Sequence, residues 1–338
     1  MSSNVSVAVI GATGHTGCEL IRLLHFHPQV QIAVATSHSH VGKDWAEVAP
    51  SLKNYYRGTL SAYRLDTLVD KGVRLAFLCL PNNEAARMAE DLLAKNIKVI
   101  DLSADFRFRQ LTTYEQWYGK HASPHLLSQA VYGLPELYRA TIANAKLLGN
   151  PGCYVTAATL ALKPLVEADL LEADSIIIDA ASGVSGAGKA HKDSSMAINV
   201  QDNFSAYGVL SHRHQPEIEN NLDVPVVFTP HLLPVNRGIL ATCYARTRQT
   251  LSEATLLTIF ESAYGTEPFI DFRPAPFSPC LQDVVGTNRC AISFRYSPER
   301  RQLIVLSALD NLIKGAAGQA VQNMNIMAGF AEETGLNF

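Results

Sequence analysis

Paired cysteines are missing from this chain: the six thiols, at 18, 79, 153, 243, 280 and 290, include no C-x-x-C spacing. A chain of 338 residues can bury a large core without disulfide staples, so the cysteines read as reduced thiols of a cytosolic protein. Charge of one sign is also lacking. The 28 Lys and Arg nearly balance the 31 Asp and Glu, for a formal net charge of −3, which leaves no bulk basic field to hold a nucleic-acid backbone or an anionic membrane. No apolar run approaches the roughly 20 residues of a membrane span. The opening MSSNVSVAVIG has neither the basic n-region nor the long apolar h-region of an export signal. Internal repeats and low-complexity tracts are absent too. With 47% apolar and 17% charged residues, a disordered or fibrous chain is excluded, and a soluble globular protein with small-molecule partners remains.

The length predicts two domains. Val5–Ile10 is a β-branched run, followed by a glycine turn and then by Cys18, Leu20, Ile21, Leu23 and Leu24, spaced to give a helix one apolar side. Residues 30–35 read as the next strand. Residues 74–80, RLAFLCL, are nearly all apolar, as suits a parallel strand covered on both faces. A helix over 85–93 and a strand over 98–102 continue a series that winds right-handed and meets its ligand beyond the carboxyl ends of the strands. After about residue 150 the extended runs lengthen: 175–180, 224–229, 239–247, 290–296 and 302–308. The expected architecture is α/β: a Rossmann-type doubly wound parallel sheet over 1–150, then an α+β domain on a mixed sheet over 151–310. Helical spacing in 311–328, through Leu312, Ala316, Ala320, Met324 and Ala328, predicts that 311–338 returns to complete the first domain.

Gly11-Ala12-Thr13-Gly14-His15-Thr16-Gly17 lies between the first strand and the first helix. Glycines there let the backbone turn tightly and approach a pyrophosphate at a helix N-terminus, although G-x-x-G-x-x-G departs from the strict NAD fingerprint. The second strand ends in Ala35-Thr36-Ser37-His38, with two hydroxyls and no carboxylate to accept a bond from the ribose 2′-hydroxyl of NAD. That leaves room for a 2′-phosphate and favours NADP.

Gly149-Asn150-Pro151-Gly152-Cys153-Tyr154 precedes a helical pattern over 155–166, which puts Cys153 at a helix start. The orphan amides and positive dipole end there stabilise a thiolate. Cys18, Cys79, Cys243 and Cys290 fall in apolar patterns and read as inert packing residues. A cysteine nucleophile needs a proton shuttle, and Ser211-His212-Arg213-His214-Gln215-Pro216-Glu217-Ile218 offers two histidines, with Glu217 three residues after His214, where a carboxylate could fix its tautomer. No third ligand of zinc-like spacing accompanies the histidines, so no metal is expected. The run 182–189, SGVSGAGK, follows a strand but misses the spacing of an ATPase phosphate loop, and marks a close backbone approach instead. Arg107, Arg109 and Arg237 suit oxyanions, since guanidinium forks match phosphate and carboxylate geometry.

Together these segments resemble the N-acetyl-γ-glutamyl-phosphate reductase family, a branch of the semialdehyde dehydrogenase superfamily. The resemblance is carried by GATGHTG at 11–17, DLSADFR at 101–107, YGLPE at 132–136, NPGCYVTAATLALKPL at 150–165, SGVSGAGK at 182–189, HRHQPEI at 212–218, FTPHLLPVNRGI at 228–239 and DNLIKGAAGQAVQ at 310–322. It implies NADPH-dependent reduction of an acyl phosphate to an aldehyde, with phosphate released, in arginine biosynthesis by a cytoplasmic homodimer or homotetramer. By the same resemblance Cys153 is the nucleophile, His214 or His212 the acid and base. Gly11, Thr13, Gly14, His15, Thr16 and Gly17 hold the pyrophosphate, with Ser37 near the 2′-phosphate. Gly183, Ser185, Gly186 and the rest of the 183–188 loop border the nicotinamide with Asn311, and Ser103, Arg107 and Arg237 hold substrate oxyanions. Other readings are an aspartate-semialdehyde dehydrogenase-like enzyme, a dinucleotide-binding redox sensor without turnover, and a cysteine hydrolase or acyltransferase, which leaves the dinucleotide turn unused.

Overall fold

In a computed structural model, residues 4–187 and 202–337 are described. The chain divides into two compact units, one running to Pro151 and resuming over Ala316–Asn337, the other spanning Gly152–Gly315.

The first unit is built on a six-stranded sheet. In chain order its elements are β1 (Val5–Ile10), α1 (His15–His25), β2 (Val30–Thr36), α2 (Trp45–Val48), α3 (Leu65–Asp70), β3 (Leu75–Leu78), α4 (Glu84–Ala94), β4 (Lys98–Asp101), α5 (Leu111–Tyr118), β5 (Ala130–Tyr132), α6 (Pro135–Ile142) and β6 (Leu147–Gly149). The strand order is β2-β1-β3-β4-β6-β5, and every pairing is parallel. All four residues of β3 are buried, the signature of a strand with helices on both faces. Helix α1 buries Leu20, Ile21, Leu23 and Leu24, the apolar side read from the sequence. The returning helix, here α10 (Gly318–Ala328), belongs to this unit and packs on α1 and α6. His27 Nε2 bonds Asn325 Oδ1 at 2.9 Å, and Gln319 and Asn323 both donate to the Gly133 carbonyl.

The second unit carries α7 (Cys153–Glu167), β7 (Ile177–Gly183), β8 (Ser205–Ala206), α8 (His214–Leu222), β9 (Val227–Leu233), β10 (Ile239–Arg246), α9 (Glu253–Tyr264), β11 (Ile270–Phe272), β12 (Cys290–Ser297) and β13 (Gln302–Leu309). Its seven-stranded sheet runs β11-β12-β13-β10-β7-β9-β8. It is mixed, with β7/β9 and β11/β12 parallel and the remaining pairs antiparallel. Helix α7 is apolar on nearly every side, burying eleven residues, because it packs against β10, β13 and α8 together. Along β10 burial alternates, Ile239, Ala241, Cys243 and Ala245 inward and Leu240, Thr242 and Tyr244 only partly covered, so one face of the sheet supports the helix and the other stays open.

Two expectations shift. The strands expected over 175–180 and 224–229 run later, as β7 and β9: residues 173–175 form a 3-10 turn, and β9 runs through Pro230 to Leu233. The helix expected from 311 begins as a π turn over Ile313–Ala317: the Gly315 amide donates to the Asp310 carbonyl five residues back, the Asp310 carboxylate caps the Leu312 and Ile313 amides, and a Cβ on Gly315 would stand 2.7 Å from that of Cys153.

Candidate active site

In the first unit the carboxyl ends of the strands carry the glycine turn and the DLSADFR loop. Gly11 has φ +83°, and a Cβ there would run into the Cys79 carbonyl. A Cβ on Gly17 would meet Gly11 and Ala12, so these two glycines serve the close approach of turn, helix and strand. Gly14 differs. It is the N-cap of α1, with no side-chain cap on the first-turn amides, and the nearest atom to a Cβ placed there is 3.6 Å away. An open, uncapped helix N-terminus lined by Thr13, His15 and Thr16 fits a pyrophosphate. At the end of β2, Thr36 and Ser37 are buried, and Ser37 Oγ lies 3.1 Å from Thr13 Oγ1 and 3.5 Å from His40 Nδ1. Hydroxyls and imidazole, with no carboxylate on the strand end, suit a phosphorylated ribose.

On the loop after β4, Ser103 Oγ donates to Asp101 Oδ2 at 2.7 Å and accepts from the Asp105 amide at 3.1 Å. Arg107 donates from Nε to the Asn150 carbonyl and from Nη2 to that of Leu102. Burial and the neighbouring Asp105 push the Asp101 carboxyl up to about 7.

In the second unit Cys153 is the first residue of α7, after an N-cap Gly152 with extended backbone and no side-chain cap. This is the placement in which helix amides and dipole favour a thiolate. Helix α8 grips the same glycine from two sides. Glu217, wholly buried, accepts the Gly152 amide at 3.0 Å, and the His214 ring lies over Gly152, its Nε2 only 2.6 Å from where a Cβ would stand. The turn Gly152-Cys153 and the His214 imidazole are thus fixed against each other by one helical H-x-x-E spacing. Glu217 anchors the backbone beside Cys153, a role that sequence spacing did not reveal.

His212 and His214 stand edge to face, centroids 4.8 Å apart, but they are not equivalent. His212 Nδ1 accepts the His214 backbone amide at 3.1 Å, so its ring proton sits on Nε2. Burial, with Arg213 adding to it, lowers its pKa to about 4. A ring that is neutral across the working range is a poor proton shuttle, so of the two histidines His214 is the candidate acid and base.

Two tyrosines complete this region that the sequence reading passed over. Tyr154 and Tyr207 share a phenol–phenol contact of 3.1 Å, and Tyr154 also donates to the His231 carbonyl. Both rings pack edge-on against His212. Burial pushes the Tyr207 phenol up to about 12 and Tyr154 higher still, so both stay protonated beside Cys153. The signal was available in Cys153-Tyr154, but only the fold brings Tyr207 back to it.

Arg237 and Asn311 are each fixed to neighbouring segments of the second unit. The Arg237 guanidinium holds the buried Asp310 carboxylate from Nε at 3.1 Å, with Nη2 also at 3.1 Å, and Asp310 accepts the Gly286 amide as well. Asn311 accepts the Gly238 amide at 2.7 Å and donates to Ser185 Oγ at 3.0 Å. The Val184 and Ser185 amides bond the Val235 and Asn236 carbonyls, and a Cβ on Gly183 would meet Asn236 and Arg237 backbone at 2.7 Å. The loop over 183–187 is therefore pinned to 235–238, with Gly186 beside Ser182. Gly188, the last of the loop residues expected at the nicotinamide, lies outside the described residues. Among the described residues no group of three His, Cys, Asp or Glu side chains is placed to hold a metal ion, and no helix is long and apolar enough to cross a membrane.

The fold is that of the semialdehyde dehydrogenases. Residues 6–145 match the semialdehyde dehydrogenase NAD binding domain and residues 153–311 the semialdehyde dehydrogenase dimerisation domain. The fold is shared with aspartate semialdehyde dehydrogenase II of Vibrio cholerae, at TM-score 0.74 and 19% identity over 97% of this chain and 99% of that one. In sequence, N-acetyl-γ-glutamyl-phosphate reductases stand nearer. That of Desulfotalea psychrophila is 47% identical over 98% of both chains, and that of Pelotomaculum thermopropionicum 46% identical over 98% of this chain and 97% of its own. This chain belongs to the N-acetyl-γ-glutamyl-phosphate reductase family.

Proposed function

We propose that this chain reduces N-acetyl-γ-glutamyl phosphate to N-acetylglutamate 5-semialdehyde with release of phosphate, using NADPH, as a step of arginine biosynthesis. The observation that carries the chemistry is the joint placement of Cys153 and His214 about Gly152. His214 takes the thiol proton, and the Cys153 thiolate attacks the γ-acyl carbon. The carbon–oxygen bond to phosphate breaks, phosphate leaves, and a thioester remains on Cys153. A bound nicotinamide supplies the hydride that reduces this acyl group. His214 protonates the oxygen of the resulting thiohemiacetal and takes that proton back as the carbon–sulfur bond breaks, releasing aldehyde and thiolate. His212 holds His214 through its backbone amide, and Glu217 holds Gly152.

On this reading the first unit binds the dinucleotide through Gly11, Thr13, Gly14, His15, Thr16 and Gly17, with Ser37 at the 2′-phosphate. The second unit supplies catalysis, with Gly183, Ser185 and Gly186 bordering the nicotinamide and Asn311 holding that loop through Ser185. Ser103, Arg107 and Arg237 bind substrate oxyanions, Arg237 with its plane set by Asp310. The dimerisation-domain match supports a homo-oligomer, which this reading takes to be a dimer or tetramer acting in the cytoplasm. We assign the subunit contact to the open face of the seven-stranded sheet, where Ile177 and Val227 are each 45% exposed.

The test is the reverse reaction: NADP reduction followed by absorbance, with N-acetylglutamate semialdehyde and phosphate supplied. Phosphate-dependent reduction with the acetylated substrate is expected. A preference for aspartate semialdehyde would keep the mechanism and overturn the substrate. NADPH binding without turnover on either would favour a sensor.

A further inference from the structure

The proposed reaction gives Asp101 nothing to do, although it is a buried acid at the carboxyl end of a strand. It ends β4 with no exposed surface. Its Oδ1 accepts the Ser103 amide at 2.9 Å and its Oδ2 the Ser103 hydroxyl at 2.7 Å. The groups that face it are few. Asp105, also wholly buried, has its carboxylate committed to the amides of Asn83 and Ala86 and to the Tyr114 hydroxyl on α5. Cys79, after β3, is held as a thiol by burial, with Asp101 and the Cys18 thiol of α1 adding to the effect. Among the described residues Arg107 is the cation that favours the ionised carboxylate, and it spends Nε and Nη2 on backbone carbonyls.

Consider what this does to Ser103. With Asp101 ionised, the Ser103 hydroxyl proton points at Oδ2, while Ser103 Oγ accepts from the Asp105 amide. Ser103 then turns only a lone pair toward anything approaching the ligand edge of β4, and a lone pair repels an oxyanion. With Asp101 protonated the bond reverses: the carboxylic acid donates to Ser103 Oγ, and the Ser103 proton is released to donate elsewhere. We propose that Asp101 is a positioning residue that stores a proton for Ser103, so that an oxyanion is accepted at Ser103 with uptake of one proton onto Asp101. The proposal rests on the reading of Ser103 as an oxyanion ligand. Burial supports it, since a carboxyl raised to about 7 can change its protonation near neutrality at small cost.

The probe is sulfate, a phosphate mimic of fixed charge between pH 6 and 9, measured as an inhibitor competing with phosphate in the reverse reaction on NADP-saturated enzyme, so that the dinucleotide's own phosphate sites are filled. The wild-type inhibition constant is expected to rise toward about tenfold per pH unit above neutrality. Asp101→Asn, whose amide donates permanently to Ser103 Oγ while its oxygen keeps the Ser103 amide, should bind sulfate with that slope removed. Ser103→Ala should weaken sulfate and lose the slope as well. If Asp101→Asn keeps the wild-type slope, the proton store is overturned while Ser103 stays an oxyanion ligand. If Ser103→Ala binds sulfate like wild type at every pH, the reading of Ser103 falls, and the proposal with it. A measurement needing no variant is titration calorimetry of sulfate binding at pH 8 in buffers of different ionisation enthalpy. Net uptake approaching one proton per sulfate supports the proposal, and none overturns it.

Discussion

Gly152 carries the geometry on which the mechanism depends, and replacing it with alanine isolates that geometry. Its backbone is extended, φ −68° and ψ 144°, a conformation alanine adopts freely, so Gly152→Ala costs nothing in backbone strain. The added methyl would meet His214 Nε2 at 2.6 Å and Cε1 at 2.9 Å. Ordinary contact begins near 3.4 Å, so the ring must withdraw by about 0.8 Å. Misplacing a catalytic group by roughly 1 Å costs on the order of 100-fold in rate, or about 2.7 kcal/mol on the barrier. The variant should therefore fold, bind NADPH as wild type does, and show kcat down by about two orders of magnitude. Alkylation of Cys153 by iodoacetamide should lose the part of its pH profile that belongs to the His214 partner. Far-UV circular dichroism and cofactor fluorescence check the fold. A correctly folded Gly152→Ala with kcat within threefold of wild type would refute the placement of His214 over the Gly152-Cys153 turn.

Two further changes test supporting residues. Glu217→Gln keeps an oxygen acceptor for the Gly152 amide and should retain far more activity than Glu217→Ala, which strands a buried amide at a cost of about 1–3 kcal/mol; equal kcat values for the two variants would remove the anchoring role. Asp101 keeps a proton in the folded chain up to about pH 7 that the unfolded chain, at its ordinary 3.8, has already released, so its contribution to stability falls as pH rises through that window. Asp101→Asn should then stabilise the protein at pH 8 by up to about 4 kcal/mol and have little effect at pH 4, as urea unfolding would show; an equal effect at both pH values would contradict this.

Much of the fold follows from local pattern. Val5–Ile10 is the first strand to the residue, because a β-branched run beside a glycine turn admits little else. The apolar run over 74–80 became the central strand β3. Three-residue strands such as β5 and β6 leave no periodicity to read, and they exist because β4 offers an edge to β6 and β6 in turn offers one to β5. At the π turn over Ile313–Ala317 the Asp310 cap is local, but the closeness of Gly315 to Cys153 leaves no mark on local sequence. Of the site, helix-start placement of Cys153 and the H-x-H-x-x-E spacing were legible because each is a matter of a few adjacent residues. That Glu217 holds Gly152, that Asp310 holds Arg237, and that Tyr207 meets Tyr154 are contacts over 65, 73 and 53 positions, beyond any local rule.

The central claim is that the acyl group passes through Cys153, and it is tested most directly by trapping it. Enzyme mixed with N-acetylglutamate semialdehyde and NADP without phosphate, then quenched in acid and digested, should show one NADPH formed per subunit in a rapid burst and an N-acetylglutamyl group on the peptide carrying Cys153. Phosphate added before the quench should remove that group. A burst that leaves Cys153 unmodified, or an acyl group found on another residue, would contradict the account.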